Sequence, residues 1–375
     1  ALYPAPNLAG AVSNYASNIP TTDDSHQGDM RVDHRQGQSS SFFFRYSVNR
    51  RDIDVGSVFP APGNGGSGFG QYPLLHRPRA WSMIGNWTRV FTPALVNEFR
   101  GGFTRNESDQ VSPADKSLYD EFGIKGVPAT PGLTGLPQIA VTGFSALGNR
   151  TFTPNPKLTG VYQIIDNASW VRGNHTWKFG FDTRLSSNFA GTSSNARGNI
   201  TFNGQFTTRV PGSGVGSALA DLLLGETSNA QLTSLLTGDL RNNYYGFFVN
   251  DTWRLNRKLT LNLGLRYEIQ TPFWEKNNRQ GNFDLHTGAV VPAQNGSMLS
   301  RAFSNTDTNN WAPRLGFAYR LRPSTVIRGA TGIFYGGLGY QAIAQMGPAN
   351  PPYFLNVSYA SSNTSSASLV RLRDG

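Results

Sequence analysis

The sequence predicts an all-β chain: an antiparallel transmembrane β-barrel, built here as about ten to twelve strands of a larger barrel, with long extracellular loops and one or two short helices. Three observations carry this. First, from Leu259 to Gln270 every odd position (Leu259, Leu261, Leu263, Leu265, Tyr267, Ile269) is apolar, and every even one (Thr260, Asn262, Gly264, Arg266, Glu268, Gln270) is polar or glycine. Strand geometry sends these sets to opposite faces, whereas a helical period would scatter the leucines around the cylinder. The stretch is about twice the usual soluble strand and suits a tilted crossing of a bilayer. Second, only 15% of residues are charged while 42 are glycine, which favours turns and strands. Third, tight turns alternate with long connections, as at the two rims of an outer-membrane barrel.

The same composition excludes several classes. No run of about 18 apolar residues occurs, so no transmembrane helix is expected. The mean hydropathy of -0.37 matches a soluble chain, yet alternating strands average out in any window. With no cysteine there is no disulfide framework, thiol nucleophile or zinc–thiolate site. The net charge of +10 raises nucleic acid as a partner, but the basic residues are mostly isolated arginines without a Lys/Arg-rich run, so none is expected. The chain opens at Ala1 without a charged-then-apolar leader, so a leader is expected to have been removed or to lie outside this stretch.

In chain order, residues 1–27 are rich in Pro, Asn and Ser and read as an irregular lead-in. Barrel strands and loops are expected over 28–345, and a loop-like tail over 346–375. The first hairpin alternates Met30, Val32 and His34 with Arg31 and Asp33, turns at Gln36-Gly37-Gln38, and returns through Phe42, Phe44, Tyr46 and Val48. The second spans Arg79 to Asn106 around Thr92-Pro93-Ala94. Within the excursion 107–158, a short helix is expected with Ser112 as N-cap, Pro113 at its first position and Gly123 as its stop. The third hairpin runs Val161–Val171, turns at Arg172–His175, and returns with Trp177, Phe179, Phe181 and Leu185 opposite in sense to Lys178, Asp182 and Arg184. Residues 198–206 alternate as well, and Val215, Ala218, Leu219, Leu222 and Leu223 have helical spacing ended by Gly225. A weak strand fits about 227–237; whether 198–237 crosses the membrane stays open. The fourth hairpin joins Tyr244–Leu255 to the Leu259 strand, and the fifth joins Trp311–Leu321 to Thr325–Tyr335. Trp170, Trp177 and Trp253 each lie near a short turn, where an interfacial aromatic girdle belongs. The bland alternative is a soluble β-sandwich, with shorter strands and similar turns at both ends.

Asn243 through Trp253, Leu259 through Glu268 and Trp311 through Phe317 resemble barrel strands of TonB-dependent outer-membrane receptors of the Oar-like type. So do Leu95 through Arg100, Gly173 through Gly180 and Ala220 through Gly225. The resemblance covers most of residues 1–340 and rests on the order of these degenerate motifs. It implies a bacterial outer-membrane location, transport of a polar, peptide- or oligosaccharide-like substrate, and a plug domain and TonB complex as partners. It also implies a 22-stranded barrel, so this stretch reads as its middle. The alternatives are a passive porin-like channel or adhesin, and a soluble carbohydrate-binding β-protein.

If the apolar face meets lipid, Leu259, Leu261, Leu263, Leu265, Phe179, Phe181, Phe317 and Tyr319 are its lipid-facing candidates. The lumen-facing candidates are then Arg31, Arg45, Glu98, Arg100, Asp182, Arg184, Arg266, Glu268, Arg314, Arg320 and Arg328. Such a face grips a plug or guides an anionic substrate, or its arginines simply pair with acids across strands. Phe273 and Trp274 are candidates for recognition in a long connection. Gly63-Asn-Gly-Gly-Ser-Gly68 has dinucleotide-type glycine spacing but lacks the flanking strand and helix, so it reads as a loop. Asp23, Asp24, His26 and Asp29 do not have calcium-loop spacing. No cofactor, metal or enzymatic activity is expected, since no His-Glu-x-x-His or Gly-x-Ser-x-Gly motif occurs.

Overall fold

The computed structural model describes residues 2–64, 72–127, 130, 132–192, 194–210, 216–336 and 349–374. The first hairpin is β1 (Thr21–Gln36) and β2 (Ser40–Val55), followed by the short β3 (Leu74–His76). The second is β4 (Arg79–Thr92) and β5 (Leu95–Ser108), trailed by β6 (Gln110–Val111) and β7 (Gln138–Val141). The third is β8 (Lys157–Arg172) and β9 (His175–Thr192), joined by a turn in which Gly173 takes the positive φ of 60° that suits glycine. After β10 (Asn199–Phe202), α1 (Ala218–Leu224) and β11 (Asn229–Thr233) comes the fourth, β12 (Leu236–Arg254) and β13 (Leu259–Gln270). Then follow β14 (Trp274–Glu275), β15 (Gly281–Asp284), β16 (Ala289–Pro292) and α2 (Met298–Ala302). The fifth hairpin is β17 (Asp307–Arg322) and β18 (Thr325–Gly332), and β19 (Asn356–Ala360) lies in the tail.

The long strands lie side by side in the order β1-β2-β4-β5-β8-β9-β12-β13-β17-β18, every neighbouring pair antiparallel. Consecutive antiparallel strands need only tight turns, which is why each hairpin closes locally. Among the described residues β1 pairs only with β2 and β18 only with β17, so the sheet is open at both edges.

A separate four-stranded sheet, β19-β11-β10-β7, sits in the long connections with α1. The buried hydrophobic cluster lies there: Leu118, Tyr119, Leu136, Ile139, Leu147, Ile200 and Phe202 pack with Phe59. The long sheet is built otherwise. Its apolar side chains stay open, with Phe247 50%, Leu315 50% and Leu263 40% exposed. Fully burying a side chain of that size is worth about 1.5–3 kcal/mol, so an aqueous fold would cover this face. A contiguous bare apolar face marks a surface meant for another apolar phase.

Several expectations are corrected. No helix forms over 112–123; bends, a parallel bridge from Ser117 to Gly135 and a turn occur there. Leu118 and Tyr119 go into the loop core instead, and the Ser112 hydroxyl is taken by Asn149 Nδ2 at 2.8 Å. Tertiary packing has overridden a good capping sequence. The lead-in is not irregular throughout, because β1 starts at Thr21: the polar stretch Thr21–Gln27 continues the ladder against Asn49–Val55, with Asp23 ion-paired to Arg51. Its lack of apolar alternation hid it. Residues 199–202 and 229–233 belong to the loop sheet, leaving the crossing to the longer β12. The helix expected before Gly225 is α1, where the Ser217 hydroxyl accepts from Ala220 N and Gly225 adopts φ 74°; Val215 lies outside the described residues. Gly65 to Gly68 and the boundary at 345–346 lie outside them too.

Candidate functional site

Residues directly opposite in an antiparallel ladder share a face, so the register follows each face from strand to strand. The odd residues of β13 sit opposite Val249 and Phe247 of β12, which sit opposite Phe179 and Phe181 of β9. On the other flank, Leu259 and Leu261 meet Tyr319 and Phe317 of β17. Leu259, Leu261, Leu263, Leu265, Phe179, Phe181, Phe317 and Tyr319 therefore share one face. Continuing through β8, β5, β4 and β2, the same face carries Tyr162, Ile164, Phe99, Phe103, Met83, Trp87, Phe42 and Phe44. Its parity changes from odd to even at β8 and β2, as hairpin turn lengths require.

The opposite face gathers Arg31, Arg45, Glu98, Arg100, Asp182, Arg184, Arg266, Glu268, Arg314, Arg320 and Arg328. Their pairing runs mainly along the strand, not across it. Arg31 bonds Asp33 at 2.7 Å, Arg100 bonds Glu98 at 2.5 Å and Arg184 bonds Asp182 at 2.6 Å. Arg266 likewise bonds Glu268. A spacing of two residues keeps both partners on one face, which is the strand period at work. Among the described residues, Arg45 is the one of these arginines whose carboxylate partner lies on the neighbouring strand, Asp29 at 2.8 Å. Arg314, Arg320 and Arg328 form no salt bridge among the described residues, although the Arg314 charge acts on Glu268; the Arg314 guanidinium lies 4.6 Å from the Phe334 ring centroid.

The densest cluster is on β12 and β13. Tyr244 OH donates to Glu268 Oε1 at 2.7 Å, and Arg266 Nη2 donates to the same phenol oxygen at 2.5 Å. Arg184 lies 5.2 Å from the Tyr244 ring centroid. Gly246 makes room for this packing, since a Cβ there would fall 2.6 Å from Arg266 Nη2. Beside the cluster opens a cavity of about 810 Å³ lined by Arg184, Asn242, Tyr244, Glu268, Gln270 and Phe273, among others. Phe273 thus joins the polar face at its loop end. Trp274 does not: it pairs in the ladder with Arg241 and its ring lies 5.6 Å from the Arg301 guanidinium. Sequence reasoning missed Tyr244 and Asn242. Strand parity was the available signal, since both are even residues of β12 like Gly246 beside them.

Polar residues interrupt the apolar face, among them Asn97, Thr183, Asp166 and Asp251. Asp166, opposite Phe99 and Phe181, accepts from Asn97 Nδ2 at 2.8 Å. Asp251, opposite Leu263 and Trp177, is hydrogen-bonded through Oδ2 to His175 Nδ1 at 2.6 Å. Trp170 and Trp177 are directly paired. In the loop layer the Arg197 guanidinium is buried, donating from Nη1 to Arg150 O at 2.9 Å, and burial pulls its pKa down. Burial also pushes the Tyr119 phenol up to about 12. Asp23 and Asp29 are taken by Arg51 and Arg45.

A sheet of long antiparallel strands with one bare apolar face and one charged face is the wall of a membrane-spanning β-barrel, the strand solution to crossing lipid. Residues 1–375 match the family described as outer membrane beta barrel domain over their whole length, and the chain belongs to that family, which places it in the bacterial outer membrane. No curated protein matches the sequence. Among solved structures the chain is similar to the copper transporter OprC, with 11% identity, a TM-score of 0.47, and coverage of 84% of this chain and 36% of OprC. It is similar to the outer membrane transporter YddB from Escherichia coli at 12% identity and TM-score 0.47, covering 84% of this chain and 32% of that one. For the ferric yersiniabactin uptake receptor FyuA from Yersinia pestis the identity is 10% and the TM-score 0.42, covering 81% and 36%. The chain spans about a third of the length of these structures.

Proposed function

We propose that the chain is part of the wall of a TonB-dependent outer-membrane transporter whose charged face lines the lumen and whose apolar face meets lipid. The cargo is a polar solute, peptide- or oligosaccharide-like, that enters past the loop-end cavity beside Arg184, Tyr244, Glu268 and Phe273. The single observation that carries this is the register, which keeps the named leucines and aromatics on one face and the named arginines and acids on the other from strand to strand across the sheet. The arginines of β17 and β18, forming no salt bridge among the described residues, favour cargo or plug segments that bring negative charge. A plug domain and the TonB complex would be contributed by the rest of such a receptor.

The test is reconstitution of the full-length protein in liposomes and in cells with and without TonB. Uptake that requires TonB, with a closed pore in planar bilayers, supports the proposal. A steady open conductance independent of TonB would instead make it a passive channel.

A further inference from the structure

Asp251 is the anomaly on the apolar face. It is 4% exposed, and its Oδ1 has no hydrogen-bond partner among the described residues. A buried carboxylate oxygen left bare costs free energy unless something else satisfies it. The remaining oxygen, Oδ2, is held by His175, whose ring is stacked between Trp177 at 5.8 Å and Trp253 at 5.2 Å. The carboxylate is thus fixed in place rather than free to turn toward water.

A cavity of about 320 Å³ opens at this point, lined by Trp177, Val249, Asp251, Leu263, Leu265 and Leu315, among others. Its lining holds one carboxylate, Asp251, and one guanidinium, Arg314, and is otherwise apolar apart from Gly264. Indole faces favour a cation, and a carboxylate oxygen requires a donor, so the niche suits an ammonium that still carries N–H. Its aliphatic walls suit a ligand that brings its own hydrocarbon. Arg172 stands on the same face directly opposite His175, its guanidinium 5.4 Å from the Trp170 ring, without a carboxylate partner among the described residues. Cation and anion therefore flank the tryptophans at the short-turn rim, the level of a membrane interface.

We infer that Asp251, His175, Trp177 and Arg172 form a binding site for one phospholipid with a primary-ammonium headgroup, Asp251 Oδ1 accepting from the ammonium and Arg172 pairing with the phosphate. Asp166 does not compete for this role, because Asn97 already donates to it. The inference rests on the proposal that the apolar face meets lipid.

The experiment places the full-length protein in nanodiscs of phosphatidylethanolamine with phosphatidylglycerol, or of phosphatidylcholine with phosphatidylglycerol. Lipid retained through detergent exchange is counted by native mass spectrometry. The expected result is about tenfold greater retention of phosphatidylethanolamine over phosphatidylcholine, the scale of one charge-assisted hydrogen bond. Asp251→Asn removes the preference and the polar-face variant Glu268→Gln keeps it. The wild-type comparison stands even where Asp251→Asn folds poorly. Equal retention of the two lipids overturns the inference, as does displacement of the lipid by millimolar free ethanolamine, which would mark a soluble-amine site. Brominated acyl chains in the same discs, scored against Trp253→Phe, separate the two levels. Quenching of Trp253 without headgroup preference sinks the lipid site alone; no quenching sinks the face assignment beneath it.

Discussion

Leu265→Arg tests the face assignment by energy. Leu265 stands opposite Val249 and Pro313 on the apolar face and is 38% exposed. A tilted strand rises about 2.5 Å per residue along the membrane normal, which sets Leu265 about 10 Å beyond the Trp253–Leu261 pair and close to mid-depth. An arginine there should cost about 2–4 kcal/mol, the midplane value for an outer-membrane barrel. Leu263→Arg should cost markedly less, about 0–1 kcal/mol, because it lies nearer the interface. Leu263 is also directly opposite Asp251, whose free Oδ1 offers the new guanidinium a partner. The assay is reversible unfolding of the full-length protein in lipid vesicles under guanidinium, both variants measured against wild type. Equal, near-zero costs would refute lipid contact along β13. A larger cost at 263 than at 265 would refute the depth assignment and the availability of Asp251.

Other expectations follow from the same geometry. Arg266→Leu leaves Glu268 still bonded to Tyr244; it should cost no more than about 1.5 kcal/mol, and should change lumen selectivity in planar-bilayer or uptake assays. Leu136 is fully buried in the loop core, so Leu136→Ala should cost about 2–5 kcal/mol of local stability. Limited proteolysis of the loops should rise while the β-sheet circular dichroism of the barrel stays unchanged. The Tyr119 phenol, held up to about 12 by burial, stays neutral in the folded loop layer while the unfolded chain ionises near 10. The folded state then binds the extra proton, so this contribution is complete below pH 10 and is lost between about pH 10 and 12. Loop proteolysis should climb across that window, and Tyr119→Phe should flatten the rise.

The hairpins were legible because the strand period and the turn residues agree. β13 has the very limits its alternation marks, and the turns fall at Gly37, Pro93, Gly173, Arg257 and Pro323. What escaped was structure without that period. β1 begins in a polar stretch whose ladder lies against Asn49–Val55. Around Ser112, local capping chemistry lost to the pull of Leu118 and Tyr119 into a core assembled from distant loops. For the candidate site, parity alone sorted the arginines and leucines onto their faces. The cavity was not legible, since its wall joins Arg184, Tyr244, Phe273, Asn305 and Tyr335 from stretches far apart in the chain. Asp251 was equally hidden: its odd parity among Phe247, Val249 and Trp253 was visible, but its bare oxygen is a fact of three-dimensional packing.

The stretch contains no cysteine, so single cysteines can be placed from Leu259 to Gln270 in turn, spin-labelled, and scored for collision with oxygen and with a water-soluble nickel complex. Odd positions should favour oxygen and even positions nickel, with a period of two along the strand. The reverse phase, or no period at all, would contradict an oily exterior and a wet interior.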